Sequence, residues 1–116
     1  MQNRYFVIDP DQIVADYLAH AIRANDPQAE VIVFPTPQAA LDELALRRPR
    51  AVLIHHEPRG FRQTPAGVAL QTLAVPYAFR GMVAEADAEG AHVLASPFNE
   101  NTVADLLRQL LGDAPD

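Results

Sequence analysis

Residues Ala51-Val52-Leu53-Ile54-His55-His56-Glu57-Pro58 constrain this chain most. Four apolar residues pass directly into three titratable ones and then a proline. A continuous apolar run that ends at a breaker reads as a strand buried on both faces of a parallel sheet. Sheets of that kind place their chemistry just beyond the carboxyl ends of their strands, which is where His55, His56 and Glu57 fall. Two similar β-favouring runs stand elsewhere. Arg4–Ile8 ends in Asp9-Pro10-Asp11, and Glu30–Phe34 leads into Pro35-Thr36-Pro37.

Helical signals separate these runs. Ile13, Val14, Tyr17, Leu18, Ala21 and Ile22 recur at helical spacing and predict an amphipathic helix over Gln12–Ala24, with Asp11 as its cap and Asn25-Asp26-Pro27 as its stop. Thr36-Pro37 opens a second helix, threonine as cap and proline at the first helical position, with Ala40, Leu41 and Leu44 inward. After Pro58, the stretch Arg59–Pro65 reads as a loop and Gly67–Leu73 as a helix. Pro76–Val83 reads as a fourth strand made irregular by Arg80-Gly81, and Ala91–Ala95 as a fifth. Val103, Leu106, Leu107, Leu110 and Leu111 mark a last helix capped by Asn99 or Asn101. The alternation predicts one α/β domain over residues 1–116 with a frayed tail at 112–116. The expected form is a three-layer sandwich around a five-stranded parallel sheet in the flavodoxin-like order 2-1-3-4-5.

Composition narrows the function. At 116 residues there is room for one core. Hydrophobic residues make up 49% and charged residues 21%, which describes an ordered globular chain. No apolar run reaches membrane-spanning length and no signal-like leader opens the sequence. There are no cysteines, so disulfides and thiolate chemistry are excluded, and the expected location is cytoplasmic. The net charge of −6 disfavours a nucleic-acid partner. All nine basic residues are arginines, so any mechanism that needs an ammonium group is excluded.

The order of elements and their punctuation resemble the receiver domain of bacterial response regulators over about residues 4 to 111. The residues that carry the resemblance are Val7-Ile8-Asp9, the strand Pro49–Ile54 with Pro58 beyond it, Ala66-Gly67, Gly90-Ala91 and Pro97-Phe98. The family accepts a phosphoryl group on an aspartate after the third strand. An acidic pair holds Mg²⁺, a hydroxyl ends the fourth strand, and a lysine precedes the Pro-Phe. Here the resemblance places His55 (or, one residue on, His56) in the acceptor position, Gly81 in the hydroxyl position and Ser96 in the lysine position. Of the acidic pair Asp9 remains; its neighbour is Pro10, with Asp11 as a substitute. A neutral imidazole cannot form an acyl phosphate, and the lysine is gone, so aspartyl phosphorylation is not expected. Ser96-Pro97 stands where the family has a cis peptide bond. Only Met82–Glu89 is left for the helix between the fourth and fifth strands, which should be shortened, with Tyr77, Phe79 and Met82 less covered and open to a partner.

Asp9, Asp11 and His55 have metal-ligand side chains, but strand alternation sends His55 and His56 to opposite sides. A histidine bonded to Asp9 in a retired acidic pocket is the simpler expectation. Arg59, Arg62 and Arg80 share that end of the sheet and suit anions. The simpler expectation is that one of them neutralises Asp9 or Asp11. Arg47-Arg48-Pro49-Arg50 lies at the opposite end and reads as a solvated loop. No nucleophile–base pair stands out: Ser96 is the only serine and has no glycine-flanked elbow. Glycine-rich nucleotide fingerprints are missing as well. The resulting expectation is an atypical receiver without enzymatic activity or cofactor. It would bind another bacterial signalling or regulatory protein, or a second copy of itself, without a phosphorylation switch. The alternative is a sensor that takes a small ligand or metal in the altered pocket.

Overall fold

A computed structural model describes residues 3–81, 92–94 and 98–112. Strands β1 (Arg4–Ile8), β2 (Glu30–Phe34), β3 (Ala51–Ile54), β4 (Tyr77–Arg80) and β5 (His92–Leu94) form one parallel sheet in the order β2-β1-β3-β4-β5. The register sets Val7 beside both Val33 and Leu53, Ile54 beside Phe79, and Arg80 beside Leu94. Helices α1 (Gln12–Asn25), α2 (Pro37–Leu46), α3 (Pro58–Gln63), α4 (Pro65–Thr72) and α5 (Glu100–Leu110) complete the described elements.

Strand alternation creates two cores. Tyr5, Val7, Leu53, Ala78 and Leu94 point to one face, where α1 and α5 cover them. Phe6, Ile8, Val52, Ile54 and Phe79 point to the other, beneath α2, α3 and α4. β3 pairs on both edges and every one of its residues is buried, so its side chains must all be apolar. Its sequence is.

The helix starts follow from side-chain oxygens that satisfy otherwise orphaned N–H groups. Asp11 Oδ1 accepts from the Ile13 and Val14 N–H groups at 3.0 and 3.3 Å. Thr36 Oγ1 accepts from Ala39 at 3.2 Å, ahead of Pro37. Asn99 rather than Asn101 caps α5, in a reciprocal capping box with Thr102.

Two boundaries and two burial assignments differ from the sequence reading. Arg59–Pro65 is mostly helix, because Glu57 caps α3 through bonds from Arg59 and Gly60 at 3.2 and 2.8 Å, and Pro58 fills the first helical position. Thr64 then ends α3 and starts α4: its hydroxyl donates to the Phe61 carbonyl at 2.6 Å and accepts from Gly67 N at 3.0 Å. The two helices turn so tightly that a Cβ on Gly67 would lie 2.2 Å from the Phe61 carbonyl oxygen. Secondly, β4 stops at Arg80, since Gly81 takes φ +110° and turns the chain out of the sheet. Thirdly, Ile13 is 82% exposed. At about 100° per residue it lies roughly 160° around α1 from Ala15, outside the buried stripe. Finally, Phe79 is not a surface residue. It is fully buried, with edge-on ring contacts to Phe61 and Tyr77 at 5.9 and 5.7 Å between centroids. Of the expected interaction face only Tyr77 is part-exposed, while Met82 and the segment expected to hold the shortened helix lie outside the described residues. So do Ala91 and Ala95 at the ends of the expected fifth strand, and residues 113–116 of the expected frayed tail.

Phe79→Ala therefore acts on the core. Chemical denaturation should show a loss of about 3–5 kcal/mol, whereas a surface position would change stability by less than about 0.5 kcal/mol.

Candidate functional site

The carboxyl ends of β1, β3 and β4 meet at one buried charge. Asp9, directly after β1, is 2% exposed and is the only buried charged side chain among the described residues. Its N–H is held by the Phe34 carbonyl at 2.9 Å, at the end of the neighbouring β2. Its carboxylate receives the Arg80 guanidinium in a two-point bond, Nε to Oδ2 at 2.6 Å and Nη2 to Oδ1 at 3.1 Å. Oδ1 also accepts from the Asp11 N–H at 2.9 Å.

Arg80 is the last residue of β4, and β3 lies between β4 and β1. Two strand spacings amount to roughly 9.6 Å, a gap that only a long side chain can bridge. Arg80 thus passes over the end of β3 with 12% of its side chain exposed. Its planar fork matches a carboxylate, so Asp9 is neutralised from within the chain. Of the three arginines at this end, Arg80 takes that role. The Arg62 guanidinium lies 5.7 Å from the Phe79 ring centroid, in a cation–π arrangement.

The two histidines part as strand alternation requires. The His55 N–H donates to the Ile8 carbonyl at 2.8 Å, fixing its backbone to β1. Its exposed ring reaches toward β4, with Nδ1 3.5 Å from the Arg80 carbonyl oxygen. A Cβ added to Gly81 would lie 3.8 Å from His55 Cε1 and Nδ1. His56 faces α3, its ring 6.0 Å from that of Phe61. His56 Nδ1 donates to the Glu57 carbonyl at 2.9 Å, which places the proton on Nδ1, because a carbonyl can only accept. No histidine is bonded to Asp9; the arginine has that position.

The other titratable groups have structural work. Asp11 is exposed and its carboxylate caps α1; Glu57 caps α3. Pro10 is exposed and has no N–H to offer. Among the described residues no three His, Cys, Asp or Glu side chains gather closely enough to hold a metal ion, so Asp9, Asp11 and His55 do not form a ligand set. Ser96 and Pro97, with the peptide bond between them, lie outside the described residues. Sequence reasoning passed over one role that had a signal: Glu57-Pro58 repeats the cap-proline pattern of Thr36-Pro37.

No family model and no curated protein matches the sequence. Solved structures do match. Chemotaxis protein CheY4 from Vibrio cholerae superimposes with a TM-score of 0.77 at 16% identity, over 96% of this chain and 100% of that one. SdrG from Pseudomonas melonis, in its BeF3-activated conformation, gives 0.73 at 20% identity over 94% and 96%. The anti-anti-sigma factor PhyR from Bartonella quintana gives 0.76 at 16% identity, covering 97% of this chain and 49% of PhyR. The fold is that of receiver domains.

The Mg²⁺ and phosphoryl chemistry implied by the receiver fold can be tested against these residues, and they do not fit it. Both Asp9 oxygens are bonded to Arg80, one of them to the Asp11 N–H as well, and an imidazole follows β3. A cation approaching Asp9 would have to displace a guanidinium held at two points.

Removing one side of a buried ion pair leaves the other charge uncompensated. Arg80→Ala should therefore cost about 3–5 kcal/mol. Asp9→Asn with Arg80→Met should cost less than the sum of the single changes, which a double-mutant cycle in denaturant would measure. A hydroxyl at position 81 should also be resisted: Gly81→Ser forces a side chain into positive φ and should lose about 1–3 kcal/mol.

Proposed function

We propose that this chain is an atypical receiver that works by binding another signalling or regulatory protein without a phosphorylation switch. The two-point Arg80–Asp9 bond carries the reading. A receiver switch depends on charge arriving at and leaving the strand-end pocket. Here a positive group belonging to the chain already occupies the carboxylate, and its removal would break a buried pair. His55 has no carboxylate to phosphorylate, and lysine is missing from the whole sequence. The reading includes the absence of enzymatic activity and a bacterial, cytoplasmic setting.

Support for a binding role comes from the likeness to chemotaxis and anti-anti-sigma proteins. A pocket whose charges satisfy one another has no demand for a ligand, which argues against the sensor alternative.

Incubation with acetyl phosphate and Mg²⁺ should leave the intact mass unchanged. A protein that co-purifies with the chain from its own cells should be recovered equally with His55→Ala and after the acetyl phosphate treatment. A stable phosphoryl adduct, or loss of the complex in His55→Ala, would favour a working pocket instead.

A further inference from the structure

Ile13, at 82% exposure, is the most exposed large apolar side chain among the described residues. It stands on α1, and an α-helix turns by about 100° per residue. Measured round the helix from Ile13, Ala24 and Tyr17 lie about 20° and 40° to one side, and His20 about 20° to the other. All four are exposed, so they form one stripe along the outer face of α1. The Phe98 ring extends the stripe, its centroid 5.7 Å from that of Tyr17. Steps of four, three and four residues are the spacing at which one helix packs along another.

Two exposed charges border the stripe on the His20 side. Asp16 and Arg23 lie about 60° and 80° from Ile13, hence within about 20° of each other, and about 10.5 Å apart along the helix axis. Both belong to α1 itself. Asp16 Oδ1 accepts from Gln12 Nε2 at 2.8 Å, and Arg23 Nη2 donates to the Val31 carbonyl at 3.5 Å. A carboxylate has a second oxygen and a guanidinium has five N–H groups, so each keeps capacity for a further partner.

In a twofold contact a surface meets itself, so each charge needs its opposite on its own helix. Asp16 and Arg23 meet that condition. Let two α1 helices pack antiparallel about an axis level with the Ala19–His20 bond. Asp16 of each copy then stands level with Arg23 of the other, on the same side of the contact, and the ion pair forms twice. The same register sets Ala24 of each copy between Ile13 and Tyr17 of the other, where its small side chain lets the helices approach. His20 flanks the axis, with Nε2 3.3 Å from Glu100 Oε2 of its own chain. We propose that the outer face of α1 docks a second copy of this chain, antiparallel, about that twofold axis. This rests on reading the domain as a protein-binding module and supplies one partner for it.

Sedimentation velocity on the intact chain tests the proposal. The wild type should form dimers, and Ile13→Glu should weaken them by about tenfold or more. Asp16→Arg and Arg23→Glu should each weaken self-association by about tenfold, because each sets like charges against one another at both pairs. An equimolar mixture of these two variants should recover dimers, since both pairs are then of opposite charge. All three substitutions alter exposed residues, and circular dichroism melts would confirm that the variants fold. A wild type that stays monomeric up to about 1 mM would overturn the proposal. So would dimers indifferent to every variant, or a mixture no better than its components. The acetyl phosphate treatment is independent of all these outcomes, so failure here is distinct from failure of the functional reading.

Discussion

A carboxylate buried to 2% exposure must be neutralised or it will not stay buried. In this chain the neutralising group is Arg80, and the arrangement of the strand ends follows from that requirement. β3 stops at Ile54, and beyond it the Arg80 side chain crosses from β4 to the carboxylate that follows β1. Gly81 must then turn away from the sheet, with its hydrogen atom facing the His55 ring. The carbonyls that end β1 and β2 hold the N–H groups of His55 and Asp9. The pocket is a closed electrostatic unit built from the chain's own residues.

That closure changes what a receiver fold can do. Where the pocket is open, the equilibrium between two conformations is biased by charge that comes and goes. Where a guanidinium is fixed at two points, the same strand ends contribute structural integrity. The energetic consequence is asymmetric, since a buried pair adds little net stability relative to apolar packing but is costly to break from one side. This combination holds the strand ends in one arrangement, which is what the proposed binding role requires.

The sheet was readable from the sequence because its determinants are local and redundant. The short run Ala51–Ile54, bounded by Pro58, reads as a strand buried on both faces, and Asp11, Thr36-Pro37 and Asn99 announce their helices by cap chemistry. α3 escaped because its six residues are too few to display an apolar period, and its only markers were the cap Glu57 and Pro58. Glu57 consequently looked like a chemical group when it is a structural one. Phe79 was misread for a different reason: its burial depends on Phe61, which reaches it only because α3 exists. The pairing of Asp9 with Arg80 joins residues 71 apart in sequence. No spacing rule identifies which of three neighbouring arginines reaches the carboxylate; the strand order decides it.

The central claim is that the strand-end pocket is occupied by the chain's own charge. The most direct measurement is the thermal midpoint of the purified protein alone, with Mg²⁺, Mn²⁺, Zn²⁺ or Ni²⁺, and with acetyl phosphate plus Mg²⁺. A ligand at about a hundred times its Kd adds roughly 2.7 kcal/mol, which would raise the midpoint of a domain of this size by several degrees. The closed pocket predicts the same midpoint throughout. A clear rise with any one metal or with the phosphodonor would show that Arg80 yields the carboxylate, and would contradict the account.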